Sequence, residues 1–247
     1  MTAPTIVSGY TTAVRTSNGT TLTCNVPTYT AGDTIYYFWA SDGDADSASI
    51  SGTGWTAVYT DVTLSSSGVA DSGSFYGWKR TAGSEPADYT VTSGVSERSV
   101  MIAFAVAHDG GIDATATNNS GTNTTAVVNS LTTTVADCLR ISIIASTGDK
   151  TVTTLSGHTL LATVSGTSAA TISVQHKALP SSGTDASVNA TMGSSYWHTF
   201  SFAIAPTSSS HSVTPNAITT GAPSVANATL TQNHLFGPTA ITPSAPS

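Results

Sequence analysis

The side chains of this chain that could do chemistry are few: six histidines, two cysteines, two glutamates and an alternating run of aspartates. Acyl transfer needs a serine or cysteine held by a base, and no Gly-x-Ser-x-Gly elbow occurs to present one. Glycoside hydrolysis needs two positioned carboxylates, one of them raised in pKa by burial. The two glutamates are Glu85, beside Pro86, and Glu97, beside Arg98 in a hairpin-like turn, and both read as surface residues. Asp42, Asp44 and Asp46 echo the start of a calcium loop. Glycine does not follow the third aspartate, however, and Thr53 stands where the closing glutamate belongs, so a solvated acidic loop is expected. Cys24 and Cys138 lie in strand-like contexts; cytoplasmic synthesis favours two buried free thiols over the alternative of a disulfide, and with no Cys-x-x-Cys or neighbouring histidine no metal site is completed. His108, His158, His176, His198, His211 and His234 include no pair at ligand spacing, and no glycine-rich phosphate cradle is present. The expectation is a protein without catalytic residues, metal or cofactor.

Binding chemistry has more to work with. Trp39, Trp55, Trp78, Tyr196 and Trp197 are the residues from which a sugar-stacking platform could be assembled. Trp39 and Trp78 sit in strongly apolar runs and read as core. Trp55 and Trp197, in or beside glycine-rich turns, are the two candidate glycan-stacking residues.

Three apolar runs must position these groups. Thr34–Trp39 is aromatic and β-branched throughout and reads as a strand buried on both faces. Ser74–Lys79 is the second. In Val100–Val106, Val100, Ile102, Phe104 and Val106 share one face at period two, with Ala103 and Ala105 on the other. Further strands are expected at Leu22–Val26, Thr56–Thr60, Thr125–Asn129, Leu139–Ala145, Leu160–Val164 and Thr171–His176. A half-buried last strand carries Phe200, Phe202 and Ile204, and Ser17-Asn18-Gly19-Thr20 is expected to form a hairpin turn. Nine or more short strands without helical periodicity predict an all-β fold: an antiparallel β-sandwich of jelly-roll type over residues 1–206.

Residues 207–247 differ, being rich in Ser, Thr, Pro and Asn. The segment beginning at His211 recurs at His234, an offset of 23 residues, with His, Pro, Ala-Ile-Thr and Ala-Pro-Ser coinciding. A short proline-bearing unit cannot bury a core alone, so an extended C-terminal arm lying against a neighbouring molecule is expected, with a disordered low-complexity tail as the alternative. Ile218, Val225, Leu230, Leu235, Phe236 and Ile241 are its candidate partner-binding anchors.

Composition sets the outer limits. A chain of 247 residues can bury about 70% of its unfolded surface, enough for a core without disulfides. Only 9% of residues are charged, so hydroxyls must solvate the surface. The net charge is −7, and the seven Lys and Arg are scattered, which argues against nucleic acid as a partner. No stretch has the length of a membrane span, and Met1–Thr5 lacks the features of an export signal, so neither membrane association nor export is expected.

The ordered series Gly32-Asp33, Gly54-Trp55, Lys79-Arg80, Glu85-Pro86-Ala87-Asp88-Tyr89-Thr90 and His108-Asp109-Gly110 resembles a β-sandwich module of tailed-bacteriophage structural proteins and some bacterial surface proteins. The tail sequence Ile218-Thr219-Thr220-Gly221-Ala222-Pro223 is similar to repeats of phage structural proteins. The resemblance implies a virion protein made in the host cytoplasm, either a capsid decoration or cement protein or a tail or fibre component. Its partners would be other virion proteins, such as the major capsid or tail protein, and copies of itself. A carbohydrate-binding adhesion module recognising a host surface glycan is the alternative from another class.

Overall fold

The computed structural model describes residues 1–43, 47–64 and 73–208, with only the backbone of 61–64. Within them the chain is all-β and antiparallel. The first six strands are β1 (Thr5–Asn25), β2 (Thr34–Ser41), β3 (Ala48–Ile50), β4 (Thr56–Leu64), β5 (Gly73–Thr81) and β6 (Asp88–Ala107). They make one sheet in the order β1-β6-β2-β5-β4, with β3 on β6. The second sheet is built from β7 (Asp109–Thr115), β8 (Asn119–Gly121), β11 (Cys138–Ser146), β12 (Thr159–Ser165), β13 (Thr171–Leu179) and β16 (Trp197–Pro206). Its order is β12-β13-β11-β16-β7, with β8 on β16. Two small pairs complete the set: β9 (Thr125–Val128) with β15 (Val188–Thr191), and β10 (Leu131–Thr133) with β14 (Gly183–Asp185).

Side-chain alternation explains how the sheets pack. Tyr36, Phe38, Phe75, Phe104 and Val106 of the first sheet meet Ile141, Ile143, Ile172, Phe202 and Ile204 of the second in one buried cluster, the core of a β-sandwich. Its rings stack across strands, Phe38 on Phe75 at 5.9 Å and Tyr36 on Phe104 at 5.4 Å, and across sheets, Tyr36 on Phe202 at 5.6 Å. Each large side chain removed from water contributes about 1.5–3 kcal/mol. Gly77 is part of this packing, because a Cβ there would lie 2.5 Å from Phe38 Cε1. On the opposite face of the first sheet, Tyr37 pairs with Ala103 and Ile35 with Ala105, large over small. That face is covered in turn by Leu22, Cys24, Tyr89 and Val91 from the far half of the β1–β6 ribbon. The Tyr37 hydroxyl donates to Asn25 O at 3.0 Å and fastens the two layers.

Several expectations change. No hairpin forms at Ser17–Thr20: β1 runs straight through, with register shifts on either side of Gly19. The Arg15 guanidinium spans this irregularity, donating to Glu97 O from Nε (3.0 Å) and Nη2 (2.6 Å) and to Thr21 O. Those bonds satisfy carbonyls that a bulge would otherwise leave unpaired. Glu97 accordingly lies inside β6 and not in a turn. The Phe200–Ile204 strand is buried on both faces, because the β9–β15 and β10–β14 pairs cover its outer side. The strand order does not reproduce a jelly roll, since β1–β6 fill one sheet and all strands of the other come later in the chain.

Candidate functional site

Trp55 follows Gly54 and Gly52, both in the left-handed region (φ +83° and +84°), and its indole N–H donates to Ser51 O at 3.0 Å. The ring stands edge-on to Tyr37 (5.4 Å) and Tyr89 (4.9 Å), and the Arg80 guanidinium lies over it at 5.5 Å. Arg80 also donates to Thr53 O (3.0 Å) and the Tyr89 hydroxyl (2.8 Å), and pairs with Glu85 at 3.4 Å. The Glu85 side chain is 0% exposed, which corrects its reading as a surface residue. It accepts from Gly83 N (2.7 Å) and from the Tyr89 hydroxyl, closing a hydrogen-bonded ring of groups. Burial, and then the bond to Glu85, push the Tyr89 hydroxyl up to about 12. The chain's own Arg80 therefore lies over the partly exposed Trp55 ring.

Trp197 is 3% exposed, which removes it from the candidate stacking residues. Its N–H donates to Asn123 Oδ1 at 3.2 Å, and Gly121 lies so close that a Cβ would meet the ring at 2.5 Å. Ile144, Val128 and Met192 share its cluster. The next residue, His198, is also buried, with Nε2 at 2.7 Å from the Tyr59 hydroxyl, which accepts from Asn118 Nδ2 at 2.7 Å. Burial lowers the imidazole pKa to about 4, so the ring is neutral near pH 7.

The outer face of the second sheet holds a polar layer that the sequence reading did not single out. Arg140, on β11, is 0% exposed. Its Nη1 donates to Asp185 Oδ2 (2.6 Å) and Ala186 O (3.3 Å), and its Nη2 to Asn129 O (2.6 Å) and Ser201 Oγ (3.2 Å). Lys177 pairs with the other Asp185 oxygen. Burial alone would raise the Asp185 pKa, but the bonds from Lys177 and Arg140 outweigh it and hold the carboxyl below its usual range. Farther along, Gln175 accepts from Leu155 N (2.7 Å) and donates to Thr153 O (3.2 Å), while Thr199 donates to Val127 O (2.7 Å). Each of these groups ties a covering segment to the sheet.

Cys24 and Cys138 are buried and unpaired, in different clusters. Burial raises both thiols, Cys138 to about 11. Asp42 pairs with Arg98 at 2.7 Å, whereas Asp44 and Asp46 lie outside the described residues. Among the described residues no three His, Cys, Asp or Glu side chains gather as a metal site. The arm anchors Ile218, Val225, Leu230, Leu235, Phe236 and Ile241, with His211 and His234, also lie outside the described residues. The segment leading to them is fixed at its start, where Thr2 and Thr207 exchange backbone bonds of 3.3 and 3.2 Å.

Comparison of the chain with protein-family models, with curated proteins and with solved structures finds no match in any of the three.

Proposed function

We propose that this chain is a structural protein of a tailed-phage particle, a capsid decoration or cement protein whose C-terminal segment binds neighbouring virion subunits. The observation that carries the reading is where three of the arginines point. Arg15, Arg80 and Arg140 all donate to backbone carbonyls of the same chain, so they serve to hold strands and covering segments in place. A scaffold stiffened in this way suits a lattice component, which must keep its shape while many weak contacts act together. The Thr2–Thr207 bridge provides a fixed point from which the repeat segment departs. Apolar anchors spaced along that segment would each bury a small area on a neighbour, with a large sum. A tail or fibre position uses the same mechanism.

The experiment compares the full chain with a variant ending at Ser208. Both are added to particles stripped of this protein, and binding is followed by sedimentation and electron microscopy. Full-length protein alone should bind at regular lattice positions. Equal binding by the shortened chain would refute the role of the arm, and failure of the full chain to bind any particle would refute the virion reading.

A further inference from the structure

A cleft of about 500 Å³ opens where Arg98 of β6 and Asp42, just past β2, approach Lys150, Ser168, Ser195 and Tyr196 in the connections between strands of the second sheet. Its volume falls in the range of small-molecule sites. We propose that this cleft binds a saccharide carrying a carboxylate, with a sugar ring on Tyr196 and the acid group on Lys150.

Tyr196 is half-exposed, and its side chain makes no hydrogen bond or ring contact among the described residues. Its backbone is nonetheless held firmly. Thr147 N donates to Tyr196 O at 3.0 Å, Ser195 Oγ lies 2.9 Å from Thr147 Oγ1, and the following residue is the buried Trp197. A fixed backbone beside a free aromatic ring reduces the ordering cost of stacking a sugar. Lys150 is anchored in the same way, its backbone N–H donating to Thr171 Oγ1 at 2.9 Å. Its stem runs beside Gly193 and Gly148, where added Cβ atoms would lie 3.2 Å from Cδ and 3.4 Å from Cε. The ammonium has no ion-pair partner among the described residues, in contrast to Lys177.

The opposite wall is charged but internally balanced. Arg98 and Asp42 pair at 2.7 Å; Arg98 N also donates to the Asp42 carboxylate at Oδ1 (3.0 Å), and Asp42 N donates to Arg98 O (3.1 Å). A paired carboxylate and guanidinium offer an acceptor and donors together, the pairing that a sugar diol matches. At the rim, Ser168 has φ +56° in a turn closed by Ala169 N to Gly166 O at 2.8 Å. Glycine or asparagine adopts that left-handed conformation more readily than serine. Strain retained at a cleft wall is an observation from which function is inferred. Among the described lining residues Asp42 and Arg98 pair with each other, and Lys150 is the remaining charge, a cation that favours an acidic sugar over a neutral one.

The test uses the full chain on an array of uronate-containing, sialylated and neutral glycans, followed by titration calorimetry with the strongest binder and its neutral counterpart. Binding to acidic glycans is expected, at least tenfold stronger than to the neutral counterparts and weakening with added salt. Tyr196→Ala should lose at least tenfold in affinity while Tyr196→Phe, which keeps the ring, retains binding. Lys150→Gln should abolish the preference for acid. Thermal melts of each variant separate lost binding from lost folding. No binding to any acidic glycan, preference for neutral glycans, or binding that persists in folded Tyr196→Ala and Lys150→Gln would overturn the proposal. Because the readout is glycan affinity, it is separate from particle binding through the arm.

Discussion

Replacing Asp185 by Asn removes one negative charge while leaving Arg140 in place, 0% exposed and still cationic. Asn129 O, Ala186 O and Ser201 Oγ would continue to accept from its two terminal nitrogens, but no carboxylate would balance them. Breaking a buried pair from one side typically costs about 3–5 kcal/mol, because an uncompensated charge remains. The Asp185 side chain is only 13% exposed, so solvent screening does little to reduce this, and Lys177, at 29%, can regain some hydration. For a chain of this size the loss corresponds to a fall in Tm of roughly 6–20 °C. Urea unfolding of Asp185→Asn, Arg140→Met and the double variant Arg140→Met/Asp185→Leu gives the assay. The double variant should be less destabilised than the sum of the singles by at least about 1 kcal/mol, since it removes both charges. A loss below about 1 kcal/mol for Asp185→Asn, or strict additivity, would refute the assignment of Arg140 and Asp185 as the clamp. The pH dependence has a definite sign: the carboxyl pKa is depressed in the fold, so its contribution is complete above the unfolded value near 3.9 and is lost as pH falls through the folded value.

Other consequences are testable with the same protein. His198 is held at about 4 against an unfolded value near 6.5, so folding stability should be complete above pH 6.5 and fall by about 3 kcal/mol as pH drops towards 4. His198→Gln should flatten that slope, and an unchanged slope would contradict the burial argument. Gly77→Ala should cost about 1–3 kcal/mol by forcing the Phe38 ring aside, read as a lower denaturation midpoint. Both thiols should resist a thiol reagent in the native protein and react fully in denaturant. Rapid labelling of Cys24 or Cys138 in the native state would place that residue outside the core described here.

The strands that were legible in the sequence are those whose partners supply nothing beyond a matching face. β2 and β6 announce themselves through unbroken apolar residues and strict alternation, and the alternation correctly divides Phe104 from Ala103 and Ala105. Ser17–Thr20 was misread because its residues suit a turn or a bulge equally, and the choice is made by Arg15 reaching Glu97, far away in sequence. Glu85 next to proline looks like a surface residue until Arg80 and Tyr89 close over it. Likewise the burial of Arg140 and Ser142 in the expected strand Leu139–Ala145 has no local signal, because the short segments that cover its polar side carry no core pattern of their own. Of the cleft, Tyr196 was visible as an aromatic residue, whereas Lys150 and Ser168 gave no local signal, because it is the pairing of β11 with β13 and β16 that brings their loops together.

Association with the particle is the most direct measurement of the central claim. Full-length protein and the variant ending at Ser208 should unfold at the same temperature, yet only the full-length form should occupy stripped particles to saturation. Saturating occupancy by the shortened chain, with the arm removed, would contradict the account.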